Sequence, residues 1–76
     1  MIKKNILVTG SNGLLGQKII YELVKRNNVN LIASSRGNNR LVNKSGYNYI
    51  DLDITNKKDV DKVILEIQPR AVINCA

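Results

Sequence analysis

At 76 residues the chain has room for one small domain, which buries only roughly 60% of its unfolded surface; an apolar content of 43% separates it from disordered chains. The net charge of +6 is dispersed in runs no longer than two, with no aromatic residue interleaved to stack on bases, which argues against a nucleic-acid partner. A single cysteine and the lack of histidine exclude an internal disulfide and a structural zinc site.

Asn5–Thr9 is a short apolar run ending at glycine and reads as a strand buried on both faces. From Leu14 the period changes: Leu15, Ile19 and Leu23 fall four apart, as do Gly16, Ile20 and Val24, the apolar face of a helix. Its end is expected near Arg26-Asn27-Asn28, where cations suit the helix terminus and Asn tolerates a left-handed cap. Val29–Ser34 is a second strand. The polar, glycine-punctuated stretch after it predicts a loop with one helical turn around Arg40-Leu41-Val42. Tyr47–Leu52 alternates as a third strand. Asn56 and Asp59 are spaced as a helix cap and its N3 partner, ahead of Val60, Val63, Ile64 and Ile67 at helical spacing. Pro69 closes that helix, and Ala71–Cys75 is a fourth strand. Strands alternating with helices imply right-handed crossovers and a parallel sheet, with the expected spatial order 3-2-1-4.

Between the first strand and the first helix stand Gly10-Ser11-Asn12-Gly13-Leu14-Leu15-Gly16, a G-x-x-G-x-x-G pattern. A chain turning from strand into helix offers unpaired N–H groups and the positive end of the helix dipole to a pyrophosphate. Close approach needs positions without a Cβ, the role expected of Gly10 and Gly13. Gly16 would let the helix settle against the first strand, while Ser11 and Asn12 could add hydrogen bonds to phosphate oxygens. The plain alternative is a turn, since Gly, Ser and Asn are ordinary turn residues. At the end of the second strand an acid would hold the 2′-hydroxyl of NAD, whereas Arg accommodates the 2′-phosphate of NADP. Here Ser35 stands where the acid is expected and Arg36 follows, with Arg40 as a second candidate, so NADP is favoured over NAD.

"VTGSNGLLG" resembles the T-G-x-x-G-x-x-G signature of the extended short-chain dehydrogenase/reductase family, and "DITNKKDVDKVILEIQPRAVINCA" resembles its dTDP-4-dehydrorhamnose reductase branch. The likeness runs over nearly the whole chain, leaving residues 37–46 without a counterpart. It implies an incomplete doubly wound, Rossmann-type fold whose glycine segment, Leu14 and Leu15 included, faces the cofactor. It also implies that Asp53 and Ile54 flank the adenine, Asp53 otherwise being a turn residue like Asp51. Asn74, Cys75 and Ala76 would lie beside the ribose and pyrophosphate, where strand carboxyl ends meet. The family's catalytic motif is Tyr-x-x-x-Lys. "YELVK", Tyr21 to Lys25, matches it but falls on the side of the helix away from the apolar face, so no catalytic residue is assigned.

The expectation is therefore the N-terminal, dinucleotide-holding part of a longer NADP-dependent reductase of a nucleotide-linked keto-sugar, unable to transfer hydride alone. Two alternatives remain: a sugar-nucleotide epimerase or dehydratase, and a non-catalytic regulatory subunit such as the methionine adenosyltransferase β subunit, which resembles the same branch. An exposed outer edge on the fourth strand offers a contact between copies. With no signal peptide or membrane-length apolar run, a cytoplasmic location is expected.

Overall fold

The computed structural model describes residues 3–26 and 28–75; Asn27 of the expected helix cap and Ala76 of the expected cofactor contacts lie outside them. The elements run β1 (Lys4–Thr9), α1 (Leu14–Leu23), β2 (Val29–Ser35), β3 (Asn48–Asp51), α2 (Lys57–Ile67) and β4 (Ala71–Asn74). The strands pair in parallel in the order β3-β2-β1-β4, the Rossmann-type order expected.

β1 is central: Leu7 pairs with Ile32 on one side and Val72 on the other. Alternation along the strands sends Leu7 and Ile32 to one face and Val8, Leu31 and Ala33 to the other. Both rows are buried, which is why β1 and β2 read as apolar runs without alternation. On the second face Val8, Leu31 and Ala33 join Ile20 of α1 and Leu41 in the core cluster.

α1 ends earlier than its sequence expectation, whereas α2 starts and stops where expected. α1 stops at Leu23, and its cap Val24 is right-handed, not a left-handed Asn. The Arg26 N–H then closes on the Leu23 carbonyl at 3.0 Å, the tighter bond that commonly finishes a last turn. α2 takes its expected cap, the Asp59 N–H donating to Asn56 Oδ1 at 3.3 Å. The reciprocal half of the capping box is missing, because the Asn56 N–H goes to the Asp53 carbonyl at 3.0 Å. Gln68, left-handed at φ 49°, ends α2 ahead of Pro69. No residue of α2 is fully buried. Its last turn is tied to the sheet by Asn5, whose Nδ2 donates to the Ile67 carbonyl at 2.7 Å, satisfying one of the helix's orphan acceptors.

The segment between β2 and β3 carries the largest corrections. No helical turn forms at residues 40–42. Side-chain oxygens take the N–H groups there: Arg40 donates to Asn12 Oδ1, Leu41 to Asn39 Oδ1 and Val42 to the Tyr21 hydroxyl. The Asn39 bond is local and competes with helix formation, while Asn12 and Tyr21 reach the segment from distant parts of the chain. Leu41, expected in a polar loop, is 1% exposed in the core. Tyr21 is not solvated as its helical angle implied. It is half-buried against the core cluster, because this segment folds over its flank of α1.

Candidate functional site

The carboxyl ends of β1, β2 and β4 converge on the glycine turn. The Cys75 N–H donates to the Thr9 carbonyl at 2.9 Å, Thr9 Oγ1 donates to Asn74 Oδ1 at 2.8 Å, and the Ser11 N–H reaches the Ser34 carbonyl at 3.0 Å. Gly10 adopts a left-handed φ of 71°, which a side chain would strain. A Cβ on Gly16 would lie 2.7 Å from Ser11 Cα and 2.9 Å from the Gly10 carbonyl carbon, with the Gly10 oxygen closer still. Gly16 therefore admits the turn itself against the helix, whereas the sequence had placed this contact on the first strand.

The two helix N-termini are treated in opposite ways. α2 has a side-chain cap and an acid, Asp59, in its first turn. α1 begins at Gly13 with neither a side-chain cap nor an acidic residue in its first turn. Its first N–H groups and the positive end of its dipole are left for an anion to satisfy.

In front of this terminus lies a cavity of about 230 Å³ lined by Gly10, Gly13, Ser35, Arg36, Leu52, Ile54 and Cys75. That volume lies just under the roughly 300–1,000 Å³ of complete small-molecule sites, and so suits part of a larger ligand. The cavity brings together candidates from four separate segments of the chain: Gly10 and Gly13, Ser35 and Arg36, Ile54, and Cys75. Leu52, expected only as a strand residue, lines it too. The available signal was its position at the carboxyl end of β3, immediately before Asp53.

Other candidates sit elsewhere. Ser11 is 0% exposed, its hydroxyl buried without a hydrogen-bond partner among the described residues, so it does not face the cavity. Asn12 spends both ends of its side-chain amide on the neighbouring loop: Nδ2 donates to the Asn38 carbonyl at 2.9 Å, and Oδ1 accepts from Arg40 N–H at 2.8 Å. Leu14 is 85% exposed on the first turn of α1. Leu15 points to a second, apolar groove of about 240 Å³ with Ile19, Leu23 and Ile73. Asn74 bonds to Thr9 behind the turn. Asp53 stands beside the cavity, its Oδ1 accepting from the Thr55 N–H at 2.9 Å and the Thr55 hydroxyl at 2.6 Å. Those two bonds hold its carboxyl below the usual range, and the Arg36 charge adds to them. A carboxylate has lone pairs to spare beyond two such bonds.

The loop after β2 is also anchored by residues the sequence reading did not single out. Gly37 N–H donates to Asp51 Oδ1 at 2.8 Å, and the Tyr49 hydroxyl donates to the Gly37 carbonyl at 2.8 Å, with the Ser35 carbonyl at 3.1 Å. Burial pushes the Tyr49 hydroxyl above its ordinary value, with the Asp51 charge adding to the rise. Asp51, which falls within the expected strand Tyr47–Leu52 and also reads as a turn residue, is the last residue of β3.

Residues 4–76 match the family model described as the RmlD substrate binding domain. Among solved structures, the chain is similar to a dTDP-glucose 4,6-dehydratase from Bacillus anthracis in complex with NAD. That match is 27% identical over 96% of this chain and 26% of that one, with a TM-score of 0.77. A short-chain dehydrogenase from Leptospira borgpetersenii with bound NAD+ is 24% identical over 100% of this chain and 32% of that one, at a TM-score of 0.80. The Bordetella bronchiseptica enzyme WbmH, in complex with NAD+, is 23% identical over 97% and 26%, at 0.81. The last two likenesses show the fold alone. The chain spans a third or less of the length of each structure. No curated protein sequence matches it significantly.

Proposed function

The chain belongs to the RmlD substrate-binding-domain family, and from that premise we propose that it forms the dinucleotide-holding half of an NADP(H)-dependent reductase acting on a nucleotide-linked keto-sugar, most like dTDP-4-dehydrorhamnose reductase. When bound, the cofactor supplies the hydride that reduces the sugar ketone. The chain's own residues supply the grip. Gly10 and Gly13 leave space for a pyrophosphate at the uncapped end of α1, and Leu52 and Ile54 offer apolar surface to an adenine. The observation that carries the NADP reading is the make-up of the cavity wall. Ser35 and Arg36 line it, and no carboxylate is among the lining residues, so a 2′-phosphate meets a guanidinium at the wall itself.

Titration of the chain with NADP, NAD and 2′,5′-ADP tests the reading. Tighter binding of NADP than NAD is expected. Arg36→Ala is expected to remove about tenfold of that preference, the worth of one charge-assisted hydrogen bond. An unchanged ratio in Arg36→Ala would show that another residue reads the phosphate. The likeness to a dTDP-glucose 4,6-dehydratase favours a second reading, a dehydratase of nucleotide sugars, for which equal or tighter binding of NAD is the expected result.

A further inference from the structure

We propose that Asn12 is a positioning residue that sets discrimination of the 2′-phosphate by holding the 36–41 loop against the glycine turn, rather than by touching the dinucleotide. The proposal rests on the NADP reading above. Asn12 sits between Gly10 and Gly13, yet both ends of its amide are engaged across the gap, on the Asn38 carbonyl and the Arg40 N–H. Its own carbonyl accepts from Gln17 Nε2 at 2.7 Å, which fixes the residue to the first turn of α1. A rigid path therefore runs from the helix, through Asn12, to the loop.

That path closes a frame around Arg36. On its N-terminal side β2 continues to Ser35, whose carbonyl accepts the Leu52 N–H at 2.9 Å. On its C-terminal side Gly37 is held through its N–H by Asp51 and through its carbonyl by Tyr49, and the next fixed points, Asn38 and Arg40, belong to Asn12. The backbone of Arg36 is thus pinned on both sides while its side chain stays exposed against the cavity. A guanidinium presented from a fixed backbone loses less freedom on meeting a phosphate than one on a loose loop. The amide of Asn12 is then a determinant of phosphate preference acting through Arg36.

The test is a double-mutant cycle on the chain, read with 2′,5′-ADP and 5′-AMP, which differ only in the 2′-phosphate. Asn12→Ala is expected to weaken 2′,5′-ADP by about tenfold, the usual worth of lost hydrogen bonds, and 5′-AMP by less than about twofold. In an Arg36→Ala background the same substitution is expected to leave the ratio of the two affinities unchanged, since coupled residues are non-additive. A merely structural Asn12 would weaken both nucleotides alike, or act equally in both backgrounds, and either result overturns the proposal. A wild-type chain that binds the two equally overturns the NADP reading and this inference with it. A wild-type preference that survives Asn12→Ala overturns this inference alone. If Asn12→Ala fails to fold, Asn12→Ser, which keeps a turn-favouring residue and removes the amide, carries the same cycle.

Discussion

Gly16→Ala separates the architecture of the glycine turn from its use. The added Cβ would meet Ser11 Cα at 2.7 Å and the Gly10 carbonyl carbon at 2.9 Å, distances that real Cβ atoms essentially never show. These are backbone atoms, so no side-chain rotamer relieves the contact; α1 or the turn must move. Overpacking of this kind costs about 3 kcal/mol, toward the upper end of its usual range. Alanine's better helix propensity returns about 1 kcal/mol. The expected net loss is about 2 kcal/mol, against a total of roughly 4–11 kcal/mol for a domain of this size. With a urea dependence near about 1 kcal/mol per molar, the midpoint followed by circular dichroism falls by about 2 M. Gly13→Ala is the control: its φ of −76° suits alanine and its Cβ would lie an ordinary 3.5 Å from the Gly10 oxygen. It is expected to keep the wild-type midpoint while weakening 2′,5′-ADP. A wild-type midpoint for Gly16→Ala would refute the close-packing argument.

Ser11→Ala removes a buried hydroxyl that has no hydrogen-bond partner among the described residues; a gain of about 1 kcal/mol in thermal or urea stability is expected, and a loss would reveal a hidden partner. Leu41→Ala empties a core position 1% exposed and is expected to cost about 2–5 kcal/mol by the same melt, where a true surface-loop leucine would cost almost nothing. Asp53 titrates below an ordinary carboxyl because Thr55 donates to it twice. Its folded-state value therefore lies under its unfolded one. The stability it contributes is present above the unfolded value near about 4 and is lost as pH falls through the folded value. Thr55→Val is expected to move the Asp53 titration, followed by NMR, upward toward the ordinary value; no movement would remove the hydroxyl as the cause.

The sheet was legible because its signals are local. The uninterrupted apolar runs at Leu7–Val8 and Leu31–Ala33 require cover on both faces, and two covered faces with alternating helices leave few topologies. The glycine turn was legible for the same reason, since Gly10 and Gly16 answer needs set within seven residues. The segment after β2 was opaque because its order comes from afar. Nothing near Leu41 announces burial; its neighbours Arg40 and Val42 are held by Asn12 and Tyr21, 28 and 21 residues away in sequence, while Leu41 itself joins the core cluster. Asn12 misled for the complementary reason: an amide in a phosphate-type turn is chemically suited to a ligand, and only the fold shows that the loop already occupies it. Tyr21 shows the limit of helical-wheel reasoning, which assigns an angle but does not know what lies beyond it.

The light burial of α2 has a consequence for how ligand occupancy is sensed. With no fully buried residue, this helix is the element best suited to open on its own, at a free energy below that of global unfolding. Its cap at Asn56 lies two residues beyond Ile54 on the cavity wall, joined to it through the Asp53–Thr55 turn. Any molecule that rests on Ile54 and prefers the closed helix lowers the open population in proportion to its own occupancy. Slowed amide exchange along α2 then becomes a gauge of a filled cavity.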